Sequence, residues 1–315
     1  MGWCGPGVGR QAVAMDADVK LTFGAGLSGA TGLVDVRSAA VAAEAAGFDV
    51  LTAPDHLGYP APFSSLAVAA AVTERIRLRT YVLDAYFWNP ALLAREVATL
   101  DALSGGRFEL GLGAGHMKHE HDDAGLPFPP VAERVAELER VLVDVRRRLA
   151  DPDHRPAPVQ ARVPVSIGAW GAASMDVAVR QAEVISLSGA LQVKGARAGV
   201  LRLSDGPDVE QRLEDLRASI ARDRPAELPP PVLDCLLQRV VVDADPAEAA
   251  AAMAAEAGGR VSAEELLRTP FVLFAASPQE AAAELRHRRE RWGLTSWITH
   301  APFVPALGRV IAALA

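Results

Sequence analysis

Eight short apolar segments, separated by stretches with helical periodicity, constrain the fold of this 315-residue chain more than any other feature. Strands that alternate with helices usually pair in parallel through right-handed crossovers. Eight such units without an obvious linker favour closure into one barrel over an open doubly wound sheet. The sequence therefore predicts an α/β fold, a (β/α)8 TIM barrel, with strands at 19–23, 48–53, 76–83, 108–112, 163–167, 184–187, 233–242 and 296–299.

Helical periodicity fills most of the intervals between these strands. Two connections, 113–130 and 188–231, are too long for ordinary βα turns, and we expect them to be insertions at the carboxyl-terminal face, where barrels bind ligands. Plain surface insertions are an equally good interpretation. Residues 1–18 lack periodicity and are expected to be a disordered extension of a single domain over 19–315. The predicted helices cover 34–46, 90–103, 133–149, 173–181, 209–222, 247–256 and 278–292.

Composition argues against several classes of function. The formal net charge is −7, whereas a protein that binds nucleic acid needs a basic face. Cys4 and Cys235 are the only cysteines, so neither a disulfide framework nor a thiolate metal cluster can form. No apolar run approaches the length of a membrane span, and no signal peptide is recognisable. We therefore expect a cytoplasmic protein that acts on a small molecule.

Two glycine-containing loops follow predicted strands. The motif GLGAG occupies 111–115, and IGAWG occupies 167–171 immediately before a predicted helix. Such loops expose backbone N–H groups that can bind an anion, although a single one is more often an ordinary turn. Two of them in one barrel indicate a ligand that carries phosphate. Neither is a Rossmann fingerprint, because no helix follows the first loop at the required distance.

Several motifs together resemble the luciferase-like monooxygenase superfamily. They are GFDVLTAPDHL at 47–57, RLRTYV at 77–82, Asn89-Pro90, and TLDALSGGRFELGLGAG at 99–115. The resemblance continues through GLPFP at 125–129 with Arg134, VPVSIG at 163–168, SPQE at 277–280 and LRHRRERWG at 285–293. It covers nearly all of the chain after residue 18 and implies the barrel that the strand pattern predicts independently.

Within this superfamily the pattern is most similar to the branch that uses coenzyme F420, a deazaflavin phosphate with an acidic tail. The resemblance implies a hydride-transfer enzyme, with an FMN-dependent monooxygenase as the alternative. Relatives carry a non-prolyl cis peptide bond at the position of Tyr81-Val82, and they usually have glycines where Ala169 and Trp170 stand. The implied cofactor contacts are Asp55, His56, Tyr81, Val82, Gly113, Ala114, Gly115, Gly168, Ala169, Trp170 and Gly171.

His56 is the first candidate for proton transfer. It follows the second strand at the rim where barrels place catalytic groups, and an imidazole exchanges protons near neutral pH. The resemblance implies that the Asp55-His56 pair sets this imidazole beside the cofactor, with Asp55 holding the ring or capping the loop. Alternatively, His56 only bonds a rim carbonyl. The second candidate is His116, which stands where a relative that acts on sugar phosphates has an acidic residue.

The expected substrate pocket is formed by residues that leave the strand ends, although ordinary loop packing would explain the aromatic ones equally well. These residues are Tyr59, Tyr86, Phe87, Trp88 and His300. A metal site is a further alternative for the polar segment after Gly115, because imidazoles and carboxylates bind zinc or iron. A polar lid explains that segment more simply, and no metal is predicted. The residues concerned are His116, His119, Glu120, His121 and Asp122.

The leading hypothesis is a reductase or dehydrogenase dependent on coenzyme F420 that acts on an unsaturated, imine or alcohol-bearing metabolite. The alternatives are an FMN-dependent monooxygenase, a metal-dependent barrel hydrolase, and a barrel that binds a ligand without catalysis. The predicted helices 90–103 and 133–149 could furnish a homodimer surface, although any outer barrel helix is partly apolar.

Overall fold

A computed structural model describes residues 20–27, 35–192, 201–258 and 260–314 of the chain. The predicted extension over 1–18 lies outside the described residues. The barrel strands have their carboxyl ends on one face of the molecule. They are β1 (Thr22–Gly26), β2 (Val50–Ala53), β3 (Arg77–Thr80), β4 (Phe108–Gly113), β5 (Val165–Ala169), β6 (Val184–Leu187), β7 (Val232–Leu237) and β8 (Ser296–Thr299).

The barrel is closed by parallel pairing all the way round. The strand order is β3-β2-β1-β8-β7-β6-β5-β4, and β3 pairs with β4 through Leu78–Phe108 and Arg79–Glu109. The predicted (β/α)8 architecture is therefore confirmed. Each of the eight predicted segments contributes one strand to the closed barrel, because buried parallel strands consist of short, nearly continuous apolar runs.

Two predicted strands differ from the observed ones. The segment 76–83 is interrupted after Thr80, and only the short strand Leu83–Asp84 resumes pairing, with β4. The segment 233–242 is divided: β7 stays in the barrel, and Arg239–Val242 leaves to pair with Val272–Ala275, a strand that the sequence did not predict. Outside the barrel, Ala190–Gln192 pairs with Leu201–Leu203 in an antiparallel ribbon.

The helices agree with the predicted pattern where the amphipathic signal is long. Asn89 caps α3, because its side chain accepts hydrogen bonds from the N–H groups of Ala91 and Leu92. Helices α2, α4, α9 and α11 were not predicted. The helices are α1 (Val36–Ala45), α2 (Pro62–Ala70), α3 (Pro90–Leu103), α4 (Lys118–Asp123), α5 (Val131–Leu149), α6 (Ala172–Gln181), α7 (Gly206–Asp223), α8 (Pro246–Glu256), α9 (Ala263–Arg268), α10 (Pro278–Trp292) and α11 (Val304–Leu314).

Ion pairs cross the interior of the barrel below the strand ends. Arg79 donates from Nε to Glu109 at 2.6 Å and from Nη1 to Asp234 at 2.5 Å. Since β3 and β7 are not neighbours, the second contact spans the barrel. Burial raises the pKa of Asp234 to about 6, although Arg79 opposes this shift. Above this layer the hydroxyl of Ser186 donates to the hydroxyl of Tyr81 at 2.6 Å.

Candidate functional site

The candidate site lies where β2, β3, β4 and β5 end. The peptide bond between Tyr81 and Val82 is cis, as the family resemblance implied. Val82 packs against two of the predicted cofactor glycines: a Cβ atom on Gly113 would lie 2.7 Å from its Cγ2 atom, and one on Gly168 would lie 3.2 Å from it. Only glycine allows so close an approach. Tyr81, Val82, Gly113 and Gly168 are therefore brought together.

His56 forms an acid–base pair that the sequence did not predict. Its Nδ1 atom lies 2.9 Å from Oε1 and 3.2 Å from Oε2 of Glu120, whose side chain is 6% exposed. A carboxylate only accepts, so Nδ1 carries the hydrogen and Nε2 is the nitrogen free to exchange a proton. The alternative in which His56 merely bonds a rim carbonyl is not supported for Nδ1.

Two further predicted residues surround His56. The ring of His116 lies 5.8 Å from that of His56, edge to face, and the ring of Tyr59 lies 6.0 Å from it. The protein around His116 desolvates its imidazolium, and a protonated His56 repels it; both effects lower the pKa of His116. His116 is nevertheless solvent-exposed, so water weakens both effects.

Asp55 does not hold the imidazole of His56, which corrects one of the two roles expected for it. Its Oδ2 atom accepts a hydrogen bond from the indole N–H of Trp88 at 2.9 Å. Burial raises the pKa of Asp55. Trp88 also stacks edge to face on Phe63 at 5.2 Å, so its indole braces the loop and does not stand free in a pocket.

Trp170, one of the implied cofactor contacts, has a buried side chain. Its side chain is 5% exposed, its Nε1 atom donates to Ser204 at 2.9 Å, and its ring packs on Phe271. The indole is therefore not available to stack on a cofactor, although the backbone of the 168–171 loop still lies at the strand ends.

An anion could be held beside this loop. Helix α6 begins after Gly171 without a side-chain cap, which leaves backbone N–H groups available at its N-terminus. Arg212 of α7 donates from Nη1 to the carbonyl of Trp170 at 2.6 Å, while its buried Nε has no hydrogen-bond partner. The helix terminus and this guanidinium together give this end of the loop a positive polarity.

Tyr86 and Phe87 line the same face but pack against His121. Their ring centroids lie 5.6 and 5.1 Å from that of His121, which is fully buried. His121 in turn contacts Asp84, with 2.8 Å between Nε2 and Oδ2. Both side chains are partly exposed, and a role in substrate binding stays a prediction.

The other predicted residues have simpler surroundings. The imidazole of His300, at the end of β8, lies 3.2 Å from the side-chain oxygen of Gln238, and burial lowers its pKa. Ala114 accepts a hydrogen bond from Nε of Arg134 through its carbonyl. A Cβ atom on Gly115, at φ +69°, would lie 1.9 Å from Asp84 Oδ2, so only glycine fits there.

The polar segment after Gly115 does not gather its side chains around one point. Glu120 faces His56, whereas His121 faces Asp84 and Pro127. Across 20–27, 35–192, 201–258 and 260–314, no group of three or more His, Cys, Asp or Glu residues could hold a metal ion. In the same ranges, no helix has the length and apolarity needed to cross a membrane.

Glu120, Asp84 and Arg212 are the site residues that sequence reasoning missed or misread. Glu120 was considered only as a metal ligand or part of a polar lid. A carboxylate within a polar segment after a strand end was a usable signal, but choosing His56 as its partner needs the three-dimensional path of the loop.

Comparisons with known proteins agree with this architecture. The sequence model of a family described as luciferase-like monooxygenase matches residues 19–314. An F420-dependent glucose-6-phosphate dehydrogenase from Beutenbergia cavernae is 38% identical over 117 residues, which are 34% of this chain and 34% of that protein. The chain thus aligns with about a third of the length of that relative.

Two solved structures share the fold over almost their whole length. An F420-dependent secondary alcohol dehydrogenase in complex with an F420-acetone adduct has a TM-score of 0.71 at 16% identity, covering 94% of this chain and 99% of that one. A monooxygenase from Streptomyces bottropensis has a TM-score of 0.67 at 20% identity, covering 93% and 97%.

Proposed function

The chain belongs to the luciferase-like monooxygenase family, and we propose that it is an oxidoreductase that uses coenzyme F420 to move a hydride to or from a small organic molecule. The observation that carries this proposal is the His56–Glu120 pair at the barrel rim that also carries the cis peptide bond Tyr81-Val82. A relative that shares 38% identity with part of this chain is named as F420-dependent, which supports the choice of cofactor.

The described residues fit an anionic cofactor. We assign its acidic tail to the N-terminus of α6 after Gly171, with Arg212 adding a positive charge whose Nε lacks a partner. We assign its ring to the wall built by Val82, Gly113 and Gly168. When bound there, the deazaflavin supplies a carbon that accepts or donates a hydride and activates oxygen poorly.

The protein side of the reaction is proton transfer at His56. Because Glu120 occupies Nδ1, a substrate hydroxyl can give its proton only to Nε2, and in the reverse direction Nε2–H returns it. The carboxylate of Glu120 is almost fully buried and stabilises the imidazolium that results. His116 has a lowered pKa and can accept a hydrogen bond from substrate without adding a second charge.

The expected substrate carries an alcohol, imine or activated double bond. Tyr59 is 39% exposed beside His56, and Tyr86 and Phe87 are partly exposed near the same rim. Aromatic surfaces of this kind favour an organic substrate with apolar parts.

We also propose a homodimer, because α3 and α5 expose apolar side chains. Leu92, Leu103 and Val143 are 51%, 64% and 48% exposed. A cytoplasmic location stays a prediction. Sedimentation analysis tests the dimer: a species of twice the chain mass is expected, and a monomer at all concentrations would contradict it.

Parallel titration of the purified protein with coenzyme F420 and FMN tests the cofactor. Cofactor fluorescence should change saturably with F420, at concentrations where FMN gives no change. Saturable binding of FMN alone, followed by oxygen consumption on reduction, would instead identify a monooxygenase. Binding of neither cofactor would refute both activities.

A further inference from the structure

The segment that carries Glu120 is fastened by a buried contact outside the reacting pair. We infer that His121 and Asp84 are positioning residues that hold Glu120 against His56. The inference rests on the proposed function for its catalytic meaning. The geometric part can be tested without any cofactor.

Helix α4 has little stability of its own. It spans six residues, Lys118–Asp123, and its N-terminus after Met117 has no side-chain cap. Isolated helices this short do not form in water without tertiary support. Glu120 and His121 are consecutive, so their side chains leave the helix about 100° apart and reach different partners. The neighbour of Glu120 can therefore anchor the helix while Glu120 faces His56.

His121 provides that anchor. Its side chain is fully buried, with Nδ1 2.7 Å from the carbonyl oxygen of Pro127 and Nε2 2.8 Å from Oδ2 of Asp84. The carbonyl can only accept, so Nδ1 must carry a hydrogen. The second contact then needs one more proton, on Nε2 or on the carboxyl group, because neutral imidazole has a single N–H. This contact thus bonds α4 to the short strand Leu83–Asp84.

Packing around this contact leaves little room for another arrangement. The ring of His121 lies 4.9 Å from that of Phe128 and is also flanked by Tyr86 and Phe87. Arg134 closes the segment at both ends, since Nε donates to the carbonyl of Ala114 and Nη1 to that of Pro129. The contacts of His121 and Arg134 therefore hold this segment on both sides of Glu120.

Asp84 connects this anchor to the proposed cofactor wall. It lies two residues after Val82, and its Oδ1 accepts from the N–H of Tyr86 at 3.0 Å. Its other oxygen bonds His121 and lies where any side chain on Gly115 would collide. The carboxyl group of Asp84 therefore links the chain after the cis peptide bond Tyr81-Val82 to helix α4, which carries Glu120.

The test compares His121→Phe with His119→Phe. Phenylalanine preserves a ring in the aromatic pocket but removes both hydrogen bonds of His121. His119 is exposed on the same helix, so its substitution is the matched control. Nitrogen NMR of histidine-labelled protein, at a pH where imidazoles are neutral, reports whether Nδ1 of His56 keeps its hydrogen. A His56→Gln spectrum assigns the resonances.

We expect Nδ1 of His56 to be the protonated nitrogen in the unchanged protein and in His119→Phe. In His121→Phe, and in Glu120→Gln, the ring should exchange between its two tautomers. The double variant His121→Phe/Glu120→Gln should show no further change, because His121 acts through Glu120. If coenzyme F420 and a substrate are found, kcat should fall about a hundredfold in His121→Phe while the KM for cofactor stays constant.

A folded His121→Phe protein that keeps the Nδ1 hydrogen of His56 would overturn the inference. If His121→Phe does not fold, Asp84→Ala removes the other half of the contact and is judged by the same criterion. If His121→Phe loses the Nδ1 hydrogen of His56 but the unchanged protein does not bind F420, the positioning role stands and only the proposed cofactor is refuted.

Discussion

Arg79 bridges two buried carboxylates, and we predict that Arg79→Met destabilises the protein strongly. The guanidinium contacts Glu109 at 2.6 Å and Asp234 at 2.5 Å, and its side chain is 6% exposed. Methionine fills similar space without charge, so two acids are left in the barrel interior with only Arg77 nearby. Removing one partner of a buried ion pair costs about 3–5 kcal/mol.

The effect should depend on pH in a defined direction. The pKa of Asp234 is raised by burial to about 6 in the folded protein. A raised carboxyl pKa means that its stabilising contribution is complete below the unfolded pKa and is lost as pH rises through about 6. Because Arg79 opposes this shift, its removal raises the folded pKa further. The deficit of Arg79→Met should therefore be largest at neutral pH and shrink in mild acid.

Urea unfolding at neutral and mildly acidic pH measures the loss in free energy of unfolding and its dependence on pH. The matched control is Arg77→Met, whose side chain is 36% exposed and whose partner Glu109 keeps Arg79. The free energy of unfolding of that control should fall by about 1 kcal/mol or less. The assignment of a buried ion network would be refuted if the two variants lost equal free energy of unfolding. It would also be refuted if the loss in Arg79→Met did not become smaller in mild acid.

Three other substitutions probe the site and the barrel. Glu120→Gln should lower kcat about a hundredfold or more in steady-state assays with an identified substrate, because the imidazolium of His56 loses its counter-charge; unchanged kcat would contradict this. Arg212→Met should weaken F420 binding about tenfold in fluorescence titrations. The control Arg217→Met changes an exposed residue of the same helix and should leave the affinity for F420 unchanged. Equal affinities of the two variants would contradict the anion site. Gly111→Ala should prevent folding or lower the melting temperature sharply, because its Cβ atom would lie 1.7 Å from the carbonyl oxygen of Thr80. The control is Gly171→Ala, whose Cβ atom would meet nothing closer than 3.8 Å and which should keep the melting temperature of the unchanged protein.

The barrel itself could be predicted because its signal is repeated along the sequence. Short apolar runs between helical patterns specify strands whose neighbours follow in order, and closure of β3 on β4 needs no information beyond that alternation. The cis peptide bond at Tyr81-Val82 was predicted only through the family resemblance, and the strand interruption there was not predicted, because nothing local to RTYVLD breaks a strand.

The partners within the site could not be predicted from local patterns. His56 and Glu120 are 64 residues apart, and Asp84 and His121 are 37 apart. Each contact depends on how the 113–130 segment folds over the rim. Trp170 was an implied cofactor contact, but its indole is buried against Phe271, a residue 101 positions later in the chain that no local pattern connects with it.

A crystal structure of the protein grown with coenzyme F420 is the most direct test of the central claim. We expect the deazaflavin ring to lie against Val82, within reach of His56, and the acidic tail to lie at the start of α6 beside Arg212. A cofactor bound elsewhere, for example in the outer cavity between α9 and α10 that Leu266 and His287 line, would contradict it.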